Sequence, residues 1–433
     1  MTFCPSCGEE VDDNSRFCKY CGYEMGATLQ GAPARAPAPK MVPAQAVTPA
    51  QVQQPRHKKG RAICIIVVIC LAASFGIWTG LAWGDFSKKV DYAIPATSSA
   101  YNDITLNVAM STSSITLTFV NPQPGDPLVR GEYNQVLRGG KMYGDYTFTY
   151  GMTDNIVTLS QTGQVWWFIG EQDISTTIYL LTNTTYTINL ASSTGTVTVT
   201  IPAGTADQKD LTASTSTGNV AVTATGVKIT GNVEASTSTG PVQVTFDSVT
   251  VTGNVWTHTS TGDDSMTMTG CNIGGNVKSD ASTGGVNSTL TNTIVKGNFE
   301  YQAATGDVNV QFYNLTVPND NPLLWANAST GMVNLLFEQH VDIGGNLSCA
   351  VQTSTGAIAV TYESPTSLST TGFQASAMSS KVSSVTMHDE SGFSTKSAAS
   401  IQTNNFATAS YTIIVPDITA STGAINVYAT SVP

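Results

Sequence analysis

The sequence predicts an all-β protein built on a Thr-rich parallel β-solenoid of about 22 residues per coil, a period in the range that marks stacked repeats. One transmembrane helix holds the solenoid outside a membrane, and a small Cys4 zinc ribbon precedes that helix. Three observations carry this. Two kinds of glycine mark recur in one register along the C-terminal half. An uncharged apolar run interrupts the chain. Two C-x2-C pairs sit close to the N-terminus.

Residues 1–25 read as the ribbon. "FCPSCG" and "FCKYCG" place Cys4, Cys7, Cys18 and Cys21 as C-x2-C-x10-C-x2-C. Two residues between cysteines let a tight turn aim both thiolates at one ion, and two such knuckles complete the tetrahedral site of structural Zn2+. So short a segment cannot fold on an apolar core alone, which makes the metal its staple. Four thiolates leave no open position for catalysis. The pattern resembles the short zinc ribbons at the N-termini of many prokaryotic membrane proteins. Such a ribbon could also dock a cytoplasmic protein partner.

Residues 26–60 are rich in Pro, Ala and Gln, with six prolines between Gly31 and Pro55. This linker lacks the apolar surface that folding needs. Residues 61–84 read as the transmembrane helix, because Ala62–Gly84 carries no charged side chain. As a helix that run is about 34 Å long, enough to cross a hydrocarbon core of about 30 Å. Trp78 and Trp83 suit the interface. Arg56, Lys58, Lys59 and Arg61 precede the span, while Lys88 and Lys89 follow it beside Asp85 and Asp91. The positive-inside rule then leaves the N-terminus in the cytoplasm and the C-terminal part outside. Cysteine usage agrees, since four of the eight lie no further along than Cys21 and only two follow the span.

Beyond the span the chain is acidic. Residues 85–433 carry eleven Lys/Arg against 25 Asp/Glu, out of a whole-chain net charge of −11. Nucleic acid is therefore excluded as a ligand, because phosphate binding needs clustered positive charge. Residues 85–190 contain alternating strands ("SSITLTFV", "DYTFTYGM", "TYTINLAS") expected to form an irregular β cap over the first repeat.

Residues 191–433 are the repeat domain. Thr-Gly glycines fall at 195, 218, 240, 262, 284, 306, 331 and 356, and Gly-Asn pairs at 231–232, 253–254, 275–276 and 297–298. Two independent marks with one period make a true repeat. Counted from the Thr-Gly glycine, offset 2 holds Val220, Val242, Val286 and Val308, and offset 4 holds Val222, Val244, Met266 and Val310. Offset 11 holds Ile229, Val251, Ile273, Val295 and Val317, and offset 15 holds Val233, Val255, Val277 and Phe299. Alternation with Thr, Ser and Asn has period two, so one face of each strand points inward. Asn232, Asn254, Asn276 and Asn298 should stack and pair their amides.

The phrase S/T-x-G-x-V-x-V, seen in "STSTGNVAV", "STGMVNLLF", "STGAIAVTY" and "STGAINVYA", resembles the prokaryotic "putative adhesin" β-solenoid family over roughly residues 190–430. That resemblance implies a cell-surface role and brings no catalytic residues with it.

Strand parity sends Trp256, His258, Lys278 and Asp280 outward, where the indole offers a stacking surface for an envelope sugar or protein ligand. The same parity turns both threonines of Thr215/Thr217, Thr237/Thr239 and Thr259/Thr261 inward as a buried hydroxyl ladder, against an ice-binding array. Asp263, Asp264 and Asp307 read as solvated turn acids rather than Ca2+ ligands. Cys271 and Cys349 should be buried free thiols, three coils apart and beyond disulfide reach. Sequons stand at Asn183, Asn287, Asn314, Asn327 and Asn346. His258, His340 and His388 are far apart and no nucleophile motif accompanies them, so no enzyme is expected. The expected role is a non-catalytic adhesin-like or envelope-interaction scaffold. A transmembrane sensor that signals through the ribbon, and a passive surface-layer component, are the alternatives.

Overall fold

The computed structural model describes residues 2–3, 10–11, 86–95, 103–143, 146–163, 166–319, 321–365, 367–368, 370–377, 384–389, 393–397 and 399–432. Linker 26–60, span 61–84 and Cys4, Cys7, Cys18 and Cys21 lie outside the described residues. No helix among the described residues is long and apolar enough to cross a membrane. The chain divides into two units, Met1–Val68 and Ile69–Pro433. In the first, Thr2–Phe3 pairs antiparallel with Glu10–Val11, two strands that flank the first C-x2-C pair in sequence.

The second unit is all-β with parallel sheets. Each repeat contributes one strand to a fifteen-stranded sheet and one to a fourteen-stranded sheet, and four repeats add a two-residue strand to a third. In one repeat these are Val233–Thr239, Val242–Asp247 and Thr250–Val251. Every strand pairs in parallel with its counterpart one repeat on: Val233 opposes Val255, Val242 opposes Asp264 and Thr250 opposes Asn272. Equivalent side chains therefore stack at the interstrand spacing of about 4.8 Å.

The inward ranks are those the period-two pattern predicts. Val220, Val242, Val286 and Val308 at offset 2, and Val233, Val255, Val277 and Phe299 at offset 15, are all buried. Later repeats stack aromatics in the core: Phe312 lies on Phe337 with centroids 5.1 Å apart, and Tyr362 on Phe373 at 4.6 Å.

The corner between the two large sheets requires glycine. Gly262 has φ +140, in the left-handed region, and a Cβ there would lie 2.2 Å from the Gly240 carbonyl oxygen. At the opposite corner the asparagines form a ladder whose main bond differs from the expected amide pairing. The side-chain oxygens of Asn232, Asn254 and Asn276 accept the backbone N–H of the next asparagine at 2.9, 2.8 and 2.8 Å. One direct amide–amide bond accompanies them, from Asn254 Nδ2 to Asn232 Oδ1 at 3.1 Å.

Parallel pairing begins well before residue 190. Ile104–Met110 pairs in parallel with Tyr186–Thr194, and Ser114–Val120 with Val197–Ile201. Antiparallel pairing at this end joins Phe86–Ile94 to Val129–Tyr143, Val129–Tyr143 to Trp166–Leu181, and Tyr146–Thr153 to Ile156–Gly163, with Phe86–Ile94 and Tyr146–Thr153 at the sheet edges. Near the C-terminal end, Thr371–Ala377, Ser384–Asp389, Phe393–Ser397 and Ser400–Thr403 intervene before Tyr411–Thr422 and Ala424–Val432 rejoin the register.

Candidate functional site

The outward rank of the fifteen-stranded sheet holds the candidate site. Trp256 and Lys278 are paired across adjacent strands, and so are His258 and Asp280, which brings all four predicted residues together. Trp256 is 36% exposed; Tyr150, Ile156 and Leu323 of the same sheet are more exposed, but Trp256 presents the indole. Its Nε1 donates to Asp280 Oδ1 at 3.1 Å, which fixes the ring plane. His258 Nδ1 lies 3.0 Å from Asp280 Oδ2, close in distance but poorly aligned for a hydrogen bond. Lys278 Nζ sits 5.9 Å from the indole centroid and 2.9 Å from Glu300 Oε1. Glu300 in turn accepts from Gln302 Nε2. Lys278 and Glu300 are thus paired, Asp280 is engaged by the indole N–H, and the indole face is the part left for a ligand.

Trp325 belongs to the same rank and was missed by fixed-offset counting. It pairs with Glu300, placing Lys278 and Glu300 between two tryptophans. A three-residue insertion lengthens that repeat, so the counted position lands on Pro322. Leu323 and Leu324 would have signalled the resumed strand.

Beside His258 the sheet face sinks into a trough of about 550 Å3. Its floor is a row of small outward residues, Ser160, Ala109, Ala191, Ser214 and Ser236, paired in that order across successive strands and ending at His258. Small side chains make the depression, because the adjacent rank of Asn189, Thr212, Glu234 and Trp256 stands higher.

Behind this site the core holds a carboxylate, which the sequence reading did not anticipate. Asp264 is not a solvated turn acid: it occupies offset 2, fully buried, between Val242 and Val286. Strand parity overrides its nearness to the turn. Its Oδ2 accepts from Ser279 Oγ at 2.9 Å, and its Oδ1 meets no well-aligned donor among the described residues. Burial raises its pKa to about 7. The gap in the offset-2 valines was the available signal. Asp263 and Asp307 behave differently, their side chains accepting the backbone N–H of Gly285 at 2.9 Å and Met332 at 2.7 Å.

The threonine pairs also require correction. Thr215, Thr237 and Thr259 are buried, and their hydroxyls donate to the carbonyls of Gly195, Gly218 and Gly240 at 3.0, 3.0 and 2.9 Å. Thr217, Thr239 and Thr261 are exposed instead, so strict inward–outward alternation stops at the last two strand residues before the corner glycine. Cys271 and Cys349 are free and buried, as expected. Of the sequons, Asn183 and Asn287 are exposed, whereas Asn314, Asn327 and Asn346 are half-buried.

A family model described as a zinc-ribbon domain matches residues 3–25, so the chain carries a zinc ribbon at its N-terminus. The solved structure of a "putative cell adhesion protein" from Clostridium sporogenes is similar at 11% identity, covering 80% of this chain and 100% of that one. Its TM-score is 0.18, too low to show a common fold. No curated protein matches the chain.

Proposed function

We propose that the chain is a non-catalytic surface protein whose stacked repeats form a β-solenoid for attachment to an envelope component. The observation that carries this reading is Trp256: an exposed indole, oriented by Asp280 and flanked by self-paired charges, on a sheet whose register keeps it fixed. Ser260 Oγ lies 3.5 Å from His258 Nε2, at the limit of a hydrogen bond, and His258 Nδ1 is poorly aligned with Asp280, so the exposed indole rather than a nucleophile carries the reading. In this reading residues 61–84 cross the membrane, with the ribbon in the cytoplasm and the repeats outside.

The ribbon favours a second reading, a sensor whose outer part binds and whose inner part recruits a protein. Cys4, Cys7, Cys18 and Cys21 are four soft thiolates, and the paired strands Thr2–Phe3 and Glu10–Val11 flank the first two in sequence. That donor set fits one structural Zn2+, which would hold the ribbon folded.

The test is binding of the purified full-length protein to cells and isolated envelopes of its own source. Saturable binding should fall at least tenfold in Trp256→Ala with the melting temperature unchanged. Binding that ignores the substitution would remove the patch from the proposal. Deleting residues 1–55 separates the two readings, since attachment survives it and signalling does not.

A further inference from the structure

The trough beside Trp256 has a chemistry of its own. Its lining residues include no carboxylate, lysine or arginine; they are serines, threonines, alanines, Met110, Gln161 and His258. Ser214 Oγ bonds to the Leu190 carbonyl at 3.3 Å, whereas the hydroxyls of Ser216, Ser236 and Ser238 have no protein partner among the described residues. From Ser160 to His258 the floor crosses six strands, about 24 Å at the usual strand spacing. Glu234 stands on the rim next to Trp256, where it repels an anionic chain.

We propose that this trough binds a linear, uncharged polysaccharide strand lying across the β-strands, with a sugar ring stacked on Trp256. The proposal rests on the attachment reading above and names the ligand class for it.

The direction of the trough decides between a sugar and a peptide. An extended peptide is captured by adding a strand to a free sheet edge, where main-chain groups await partners. Here the floor is a sheet face, and the backbone groups of its strands are taken up by neighbouring strands. Only side-chain hydroxyls, the imidazole and the indole reach the ligand. A sugar chain matches that set: each ring brings hydroxyls that donate and accept, and a C–H face that packs on an aromatic ring. A row of like groups at one spacing suits a ligand that repeats. A polyanion would meet Glu234, while the neighbouring cation Lys278 is already engaged by Glu300.

The test uses the full-length protein and isothermal titration with linear neutral hexasaccharides of glucose, mannose and N-acetylglucosamine, each beside its disaccharide. One series should bind, with the hexamer at least tenfold tighter than the dimer and little change between low and high salt. Ser214→Arg with Ser236→Arg fills the trough with exposed side chains and should abolish that binding. Thr245→Arg, on the outer face of the other large sheet, should leave it intact and reports on folding. A parallel arm measures capture on envelopes treated with periodate, which cleaves the vicinal diols of glucose and mannose chains (supplemented by chitinase for N-acetylglucosamine chains, which lack them), or with proteinase K. Loss after periodate or chitinase but not after proteinase K supports the proposal. Trp256-dependent capture that survives periodate and chitinase and is lost to proteinase K would overturn it and point to a protein ligand, leaving attachment standing. Failure of every neutral hexasaccharide likewise overturns it. Absence of envelope capture in any form removes the attachment reading as well.

Discussion

The two large sheets are made from the same repeats, yet their outer faces finish their hydrogen bonding differently. On the fourteen-stranded sheet Asn334 Nδ2 donates to Asn309 Oδ1 at 2.7 Å, and Asn309 Nδ2 to Asn287 Oδ1 at 3.0 Å. That face satisfies much of its polarity along its own stack. On the fifteen-stranded sheet Ser216, Ser236 and Ser238 of the trough leave their hydroxyls to solvent, and Trp256 leaves its indole face there too. A regular scaffold can therefore carry a rank that is closed chemically, such as this asparagine ladder, and a rank that is open, such as the trough serines. The open one is where a ligand adds interactions without first breaking any within the protein.

The largest effect should come from a position both faces share. Gly262→Ala places a Cβ 2.2 Å from the Gly240 carbonyl oxygen while holding a positive φ. Relief requires the two tiers to separate, breaking the pairing of both sheets at once. We expect a loss of about 5 kcal/mol, read as a large drop in thermal midpoint by circular dichroism. A midpoint within a few degrees of wild type would mean that the tiers are not in the close register described.

Next in size is Asp264, on the inner side of the fourteen-stranded sheet, facing Ser279 of the fifteen-stranded one. Its folded pKa, near 7, lies above the ordinary carboxyl value of 3.8 because burial penalises the charge. The folded state therefore binds the extra proton between those values. Stability contributed by this group is complete below about pH 4 and is lost as pH rises through about 7. The full span corresponds to about 4 kcal/mol. Asp264→Val continues the rank of Val242 and Val286 and should raise stability at neutral pH by a comparable amount, with little gain at pH 4. Urea titrations at the two pH values check this; an equal gain at both would mean that the carboxyl is not titrating in the core. If Trp256-dependent capture is measured alongside, it also shows whether the polar inner tier supports the patch in front of it.

These two positions show what the sequence made legible. Gly262 was readable because its constraint is local and recurs: a Thr-Gly mark every repeat betrays a corner before any contact is known. The buried ranks were readable because parity is also local. Asp264 obeys the same parity, but a carboxylate after a turn invites a solvent reading, and only the valines opposite it show the cost. Trp325 escaped because register depends on length, and a three-residue insertion shifts the count without disturbing the pairing. The trough was not legible at all, since its depth comes from differences in side-chain size between neighbouring ranks across six strands, not from any residue alone.

The smallest expected effect tests the contrast between faces directly. Asn309 sits mid-ladder, accepting from Asn334 and donating to Asn287, so Asn309→Ala removes two hydrogen bonds at a partly solvated site. Each is worth about 1 kcal/mol net at most, and water recovers part of it. A loss of about 1 kcal/mol is expected, with envelope capture unchanged. Ser236→Ala on the open face breaks no bond within the described residues, so its stability should stay within about 0.5 kcal/mol of wild type. Capture should nonetheless weaken there, because the hydroxyl removed is one the protein never used. The pair of substitutions thus reverses roles between faces: one costs folding and spares binding, the other spares folding and costs binding. If both lost stability equally, the trough hydroxyls would be structural and the distinction between a closed and an open face would collapse.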